Sequence, residues 1–298
     1  MRVIFFGCGY LGYNLSTQLS KSFDTEIWGI DSPYAPLAGK FVQVDVFNTE
    51  EMAGRDLEGA VIVDTIGLVS NDAVSEDDAL TLEPVREKYR KLFRLLRDKK
   101  IRRYVYFSSG GTIYGDSLEP IDEGHVIHPV TLYAKSKEML EGLLQESQLD
   151  YLILRPANPY GGYQVRGKRQ GVIPILITKA LKREPFTMWT DGGSIRDYIY
   201  IDDFARALRL LIAKDVSCEI VNIASGQGTS LNEVIRIVEE ATGRKIPIEH
   251  ASSQVPVVEA IVLDIGKLKR LTGYEPTVSL NEGIRLETQR IEKEDQPK

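Results

Sequence analysis

The 298-residue chain predicts an α/β fold: a doubly wound parallel sheet with helices on both faces, followed by a smaller, mixed α/β C-terminal lobe. Three observations predict it. Apolar runs of strand length alternate with helix-length amphipathic segments from the N-terminus to about residue 155. The first run, Arg2-Val3-Ile4-Phe5-Phe6, is continuously apolar after its arginine, as in a strand covered on both faces. After Arg155 to Gly162 the alternation loosens, and polar, glycine-rich stretches break it up. The expected limits are 1–157 for the first domain, with 195–225 returning to it, and 158–298 for the lobe.

The first strand feeds Gly7-Cys8-Gly9-Tyr10-Leu11-Gly12, a G-x-G-x-x-G pattern, and then a helix with Leu11, Leu15 and Leu19 on one face. Between a first strand and a first helix, this pattern marks a dinucleotide site. The glycines allow the turn and the backbone's approach to a pyrophosphate, which rests on the helix N-terminus. Asp31 closes a second strand, 25–30, about twenty residues on. Its carboxylate accepts from both ribose hydroxyls and repels a 2′-phosphate, so NAD is expected rather than NADP. A third strand, 42–46, contains Asp45, which either reaches an adenine amino group or caps the next helix. A fourth strand spans 60–66, and the helix after it turns Val85, Tyr89, Leu92, Phe93 and Leu96 towards a core.

The stretch from 103 to 137 gathers the chemistry. Arg103 to Phe107 is β-rich and runs into Ser108-Ser109-Gly110-Gly111-Thr112. Hydroxyls and glycines at a buried strand end let a ligand approach the backbone. Tyr133 and Lys137 then stand four apart on one face of a helix. A phenol beside an ammonium is a proton-transfer pair, in which the positive charge is expected to lower the tyrosine's pKa towards neutrality. A chance Tyr-x-x-x-Lys on a surface helix is the ordinary alternative; its place just after the Ser/Gly/Thr strand end argues for chemistry.

Further on, Met139, Leu140, Leu143 and Leu144 continue the helix, and 151–154 is another buried strand. Residues 163–171 are polar and basic, suiting either a loop over an anionic substrate or a solvated surface loop. A Pro-started helix, 174–182, precedes strand-like runs at 186–189, 195–203 and 221–224. Ser230 and Glu233 form a capping box for a helix closed by Gly243.

Composition excludes several classes. Lys+Arg 37 against Asp+Glu 43 gives a net charge of −6, with no basic block to track a phosphate backbone, so no nucleic acid partner is expected. Cys8 and Cys218 are far apart and in no Cys-x-x-Cys pair, which points to a reducing cytoplasm and no zinc. The chain enters its first strand at Arg2, so no secretory leader is expected, and no apolar run is long enough to span a membrane.

Four ordered motifs, SSGGTIYG from Ser108, Tyr133-x-x-x-Lys137, LRPANPYG from Leu154 and IRDYIYIDDFARA from Ile195, resemble the extended short-chain dehydrogenase/reductase family. The likeness is to its nucleotide-sugar epimerase/dehydratase branch and, with the glycine fingerprint, runs to the LTGYEP stretch ending at Pro276. It implies a Rossmann half holding NAD through Gly7, Gly9, Tyr10, Leu11, Gly12, Asp31, Asp45, Val46, Ile66, Tyr133 and Lys137. It implies a C-terminal lobe holding an NDP-sugar, of the UDP class. Tyr133 would be the acid/base, and Lys137 its pKa-setter and ribose contact. Ser109 or Thr112, with Thr112 preferred, would be the assisting hydroxyl. Thr112, Asn158, Arg196 and the backbone near Val172 would be substrate ligands, with Arg196 gripping a phosphate.

Relatives that dehydrate carry an Asp-Glu pair before the Tyr-Gly of the strand-end motif, and related decarboxylases carry a Glu. Here those places are Gly111 and Thr112. With no carboxylate to take a C5 proton, the resemblance implies hydride removal and return, which is 4-epimerisation. A 4-keto-sugar reductase using the same pair is the alternative enzyme, and an NAD-binding sensor without catalysis the alternative class. The chain departs from the family at Gly110, where the assisting hydroxyl usually stands. It also lacks the usual Asn near 83–86, and Ala251 stands where a second phosphate-gripping Arg precedes the run Ser253-Gln254-Val255-Pro256. The resemblance also implies a homodimer through a four-helix contact of the Tyr133 helix and the helix near 85–97, and both helices carry more apolar residues than one face can bury, which agrees.

Overall fold

A computed structural model describes residues 1–31, 40–164, 170–251 and 258–295. The basic centre of the 163–171 loop and the 253–256 run lie outside the described residues. Two compact units emerge, Met1–Tyr114 with Val126–Pro156 and Leu208–Val221, and Gly115–His125 with Ala157–Ala207 and Asn222–Lys298.

In the first unit the chain forms β1 (Arg2–Phe6), α1 (Tyr10–Leu19), β2 (Asp24–Gly29), β3 (Lys40–Gln43), α2 (Thr49–Ala53), β4 (Val61–Asp64), α3 (Asp78–Asp98), β5 (Arg103–Phe107), α4 (Leu132–Gln145) and β6 (Tyr151–Pro156). The strands make one sheet in the order β3-β2-β1-β4-β5-β6, with parallel pairings throughout, and a later strand extends it beyond β6. The order reverses at β1, so a crevice opens at the carboxyl ends of β1 and β4, where ligands bind in such sheets. β4 and β5 are buried along their whole length, which is why their sequences are apolar without alternation. One face of the sheet carries Ile4, Ile62, Tyr104 and Tyr106 under Tyr89, Leu92, Phe93 and Leu96 of α3 and Leu140 and Leu144 of α4.

The third strand ends at Gln43, earlier than its β-rich sequence suggests. Its partner β2 ends at Gly29, the residue in register with Gln43. Asp45 then turns the chain, its Oδ1 accepting the Phe47 N–H at 3.0 Å. The cap of α2 is Asn48, whose side chain accepts from the N–H groups of Glu50 and Glu51. Of the two roles open to Asp45, helix capping therefore falls to Asn48.

The rest of the chain forms β7 (Asn158–Tyr160), α5 (Val172–Lys182), β8 (Phe186–Met188), β9 (Ile195–Tyr200), α6 (Ile201–Ala213, whose last turns belong to the first unit), β10 (Glu219–Ile223, which belongs to the first unit up to Val221 and is the strand beyond β6), β11 (Gly228–Ser230), α7 (Leu231–Thr242), β12 (Ile248–His250), β13 (Ala260–Ile261), α8 (Gly266–Thr272) and α9 (Leu280–Asp295), and apart from those first-unit portions it makes up the second unit. β9 pairs with β7, β11 and β13, so it is the spine of this unit's mixed sheet. A core of Leu176, Ile177, Val234, Val238 and Ile284 joins α5, α7 and α9. The 195–203 run divides at Tyr200. Asp202 and Asp203 open α6, where a helix N-terminus favours carboxylates, and Asp203 also takes the Thr277 and Val278 N–H groups. α5 begins at Val172, two residues before Pro174, which sits where an N–H would have no intrahelical acceptor. Ser230 caps α7 and Gly243 closes it in the left-handed conformation, φ 64°.

Leu80 of α3 stays exposed, while part of the apolar surplus of α3 and α4 packs inside the first unit. Val85, Leu95, Met139 and Leu143 pack against its core, while the groove between the helices is lined by Arg90, Arg94 and Arg97 beside Phe93 and Leu143. No helix among the described residues is long and apolar enough to cross a membrane, and none of their His, Cys, Asp and Glu side chains cluster so as to hold a metal.

Candidate active site

The residues expected to meet a dinucleotide gather at the carboxyl ends of β1, β2 and β4. Gly7 follows β1 at φ 94°, a conformation that favours glycine. A Cβ on Gly12 would lie 2.2 Å from the Gly7 carbonyl oxygen and 2.7 Å from Thr65 Oγ1, so this glycine lets α1 press against the strand end. Thr65 locks the same corner, its hydroxyl bonding the carbonyls of Phe6 at 2.9 Å and Gly7 at 3.1 Å. Gly9 is different. A Cβ there would meet nothing within 4 Å, and as N-cap of α1 it supplies no side-chain cap. The first N–H groups of α1 therefore face an open cradle with no carboxylate in the first turn, which suits a pyrophosphate. Tyr10 and Leu11 begin the helix, Asp31 is exposed just past β2, Val46 is buried behind Asp45, and the Ile66 N–H is held by Asp64 at 2.9 Å. The donors and the empty cradle fit NAD.

The expected proton carriers sit in the same unit. Thr131 caps α4 by accepting the Ala134 N–H at 3.1 Å, which sets Tyr133 in the first turn and Lys137 one turn later. Thr112 Oγ1 donates to Ser109 Oγ at 2.9 Å, and of these two hydroxyls Ser109 is the one that acts on the Tyr133 phenol, drawing its pKa down. Gly110 lends only its N–H, to the Pro156 carbonyl at 2.8 Å.

Lys137 is buried. Its Nζ donates to the Phe107 carbonyl at 2.8 Å and lies 5.1 Å from the Tyr106 ring centroid and 5.3 Å from that of Tyr133. Burial pulls its pKa down to about 8, against the opposing pull of Asp64 and Glu141. The phenol does not behave as the sequence suggests. Burial pushes the Tyr133 pKa up, and the Ser109 bond is what opposes the rise. The reason is geometric: the ammonium lies over the ring face and gives its hydrogen bond to Phe107, not to the phenolic oxygen.

Three groups around Lys137 escaped the sequence. Asp64 ends β4, and Glu141 is one turn beyond Lys137 on α4. Arg155 of β6 grips Glu141 through two bonds, 2.9 and 2.6 Å, and donates to the Tyr114 hydroxyl at 3.0 Å. The signal for Asp64 was a carboxylate closing an otherwise apolar strand, and for Glu141 its i+4 spacing.

In the second unit Asn158, Val172 and Arg196 line one cavity of about 350 Å³, together with Tyr160, Tyr198 and Leu231. Asn158 Nδ2 donates to the Asp197 carbonyl at 2.8 Å, and Gly171, the N-cap of α5, leaves the N–H groups near Val172 without a side-chain cap. Arg196 donates to the carbonyls of Ile195 at 2.8 Å and Val258 at 2.9 Å, and no carboxylate among the described residues forms an ion pair with it. Burial lowers its pKa, opposed by Tyr198 and Asp116; Asp116 itself is engaged with the N–H groups of Glu259 and Ala260. Beneath it Asp197 is fully buried, pushed up to about 6 by burial although Ser225 and Gly226 donate to it. Ala251, at the place of the missing arginine, gives its N–H to the Met188 carbonyl.

A family model described as the NAD dependent epimerase/dehydratase family matches residues 6–224. A Methanocaldococcus jannaschii protein, provisionally named a UDP-glucose 4-epimerase, is 35% identical over 65% of this chain and 64% of its own length. A dTDP-4-dehydro-6-deoxyglucose reductase of Escherichia coli is 34% identical over 64% of this chain and 62% of its own. The chain thus matches just under two thirds of the length of these relatives. Among solved structures, a UDP-glucose 4-epimerase of Thermus thermophilus in complex with NAD superposes with a TM-score of 0.83, at 28% identity, covering 98% of this chain and 99% of that one.

Proposed function

Because the chain belongs to the NAD-dependent epimerase/dehydratase family, we propose that it inverts C4 of a nucleotide-sugar, a UDP-sugar being the class suggested by its relatives. NAD is the cofactor. We assign it to the first unit, where Gly7, Gly9, Tyr10, Leu11 and Gly12 form the pyrophosphate cradle and Asp31, Asp45, Val46 and Ile66 are its further contacts. When bound, NAD supplies a hydride acceptor that can also give the hydride back. The chain's own groups handle the proton. Tyr133 takes the proton of the C4 hydroxyl and returns it to the opposite configuration. Ser109, backed by Thr112, holds the phenolic oxygen in place, and Lys137 puts a positive charge beside the ring to favour the phenolate. To the second unit we assign the nucleotide: Arg196 for a phosphate, Asn158 and the backbone near Val172 for orientation. A homodimer rests on the family resemblance alone, and light scattering at micromolar concentration checks it.

The observation that carries this reading is the Tyr133 ring beside the buried Lys137 ammonium, next to the bonded hydroxyls of Ser109 and Thr112, at a strand end whose Gly111 and Thr112 offer no carboxylate. The test is to incubate purified protein with UDP-glucose, UDP-galactose or UDP-glucuronate and follow the anomeric protons by NMR. A mixture of C4 epimers from one of them supports epimerisation. No interconversion, with NADH consumed one-for-one on a 4-keto nucleotide-sugar, supports instead the reductase that the Escherichia coli relative favours. Neither outcome, with NAD still bound, points to the sensor.

A further inference from the structure

Asp64 is a carboxylate in a place that ordinarily excludes one. It is 2% exposed, at the carboxyl end of β4. Each described hydrogen-bond partner is a donor: Tyr104 at 2.7 Å and Tyr89 at 2.8 Å give their hydroxyl protons to Oδ2, and the Ile66 N–H donates to Oδ1 at 2.9 Å. Burial pushes the Asp64 pKa up, and the three donor bonds, each favouring the charged form, oppose that rise together with the Lys137 charge. The strand register puts Asp64 beside Tyr106, and residues in register across a parallel pair send their side chains to the same face. The Lys137 ammonium lies over that same Tyr106 ring. Carboxylate and ammonium thus flank one aromatic side chain in the dry interior.

The other charges near Lys137 are accounted for. Glu141, on its own helix, is neutralised by the two-pronged Arg155 of β6. From α3 comes the Tyr89 hydroxyl, and from β5 the hydroxyls of Tyr104 and Tyr106 and the Phe107 carbonyl; on α4 itself is the Tyr133 phenol. The buried Tyr106 hydroxyl has no hydrogen-bond partner among the described residues and carries no charge to offset. Asp64 forms no ion pair with another cation among the described residues, and Lys137 is the cation whose field reaches it. An ammonium drawn out of water is costly unless an opposite charge accompanies it.

We propose that Asp64 is a positioning residue of the relay, a buried counter-charge pinned by Tyr89 and Tyr104 that keeps Lys137 protonated beside Tyr133. It touches neither substrate nor cofactor and acts through the lysine. The proposal rests on the relay reading above, but its test reads the ammonium and not the reaction.

The experiment is a pH titration by NMR of NAD-stripped protein labelled in its lysine Cε and Nζ, the Lys137 signal being assigned by its loss in Lys137→Arg. In Asp64→Asn, the Lys137 ammonium should titrate about one pH unit or more below its wild-type value, because a negative neighbour has gone. An unchanged titration overturns the proposal. The wild-type Asp64 carboxyl, labelled with ¹³C, gives a second reading that does not depend on the variant folding. It should be ionised at pH 7 and shift again as Lys137 titrates; a carboxyl neutral at pH 7 overturns the proposal. With an active substrate in hand, the alkaline limb of the kcat profile should move down with Lys137 in Asp64→Asn. Loss of activity in the wild-type protein would instead count against the relay reading and leave the lysine titration standing.

Discussion

Lys137 in the first unit and Arg196 in the second are both cations drawn out of water, yet their surroundings differ in kind. Lys137 is enclosed by hydroxyls, ring faces and two buried carboxylates, and burial brings its pKa to about 8, where a proton can come and go. Arg196 lines an open cavity, steadied by two backbone carbonyls; burial lowers its pKa too, but a guanidinium starts so high that it stays charged. One region keeps a charge that can be tuned, and the other a charge that cannot be lost. On the function proposed above, proton transfer needs the first and anion binding the second, which would make lysine and arginine non-interchangeable here.

Five measurements break or sharpen that contrast. The largest effect belongs to Tyr133→Phe, which keeps the ring and its packing but removes the proton carrier. kcat on the true nucleotide-sugar should fall by about 10²–10⁴-fold, with UDP binding nearly unchanged. Ser109→Ala should cost more of the rate than Thr112→Val, since Ser109 is the hydroxyl that draws the phenol's pKa down; the reverse order would make Thr112 the assisting group.

Lys137 comes next, through stability. A base whose pKa falls from 10.5 unfolded to about 8 folded binds its proton more weakly in the native state. Its burial therefore costs about 3 kcal/mol below pH 8, a cost relieved as pH rises from 8 towards 10.5. Lys137→Met should accordingly be the more stable protein in urea unfolding at pH 7, and its margin over wild type should shrink by pH 9.5. A margin independent of pH would show that the buried lysine holds its proton as tightly as it does in the unfolded chain.

Arg196→Leu should weaken UDP binding about 10- to 100-fold by calorimetry, the range of a lost charge-assisted bond, with no pH dependence between 6 and 9. A loss that follows pH would place Arg196 in the tunable class and erase the contrast. The smallest effect is expected at Asp31, exposed at the end of β2. Asp31→Ser should narrow the preference for NAD over NADP by about tenfold, read by titrating both into stripped protein.

Much of the first unit was legible because its signals are local. The Gly7-x-Gly9-x-x-Gly12 turn, the apolar β4 and β5, and the spacing of Tyr133 and Lys137 on α4 depend on near neighbours in the chain, and the structure places them together at the strand ends. The end of β3 was misjudged because pairing stops where β2 stops, a fact about the partner strand and not about residues 42–46. How far the apolar surplus of α3 and α4 is covered was illegible for a similar reason: counting residues on a helix does not reveal how much of its girth a sheet and a neighbouring helix will cover.

The sequence by itself determined the alternating architecture and the dinucleotide turn, and it set Tyr133 and Lys137 on one helix face, because periodicity and tight turns are properties of a few consecutive residues. Only the tertiary structure decided that the ammonium lies over a ring and donates to a backbone carbonyl, and that Asp64 shares its buried chamber. The contacts of Asp64 join it to Tyr89, 25 positions on, and to the field of Lys137, 73 positions on, and depend on strand register and on desolvation. Both arise when the sheet and its helices close, since the dielectric around a charge is set by everything packed against it.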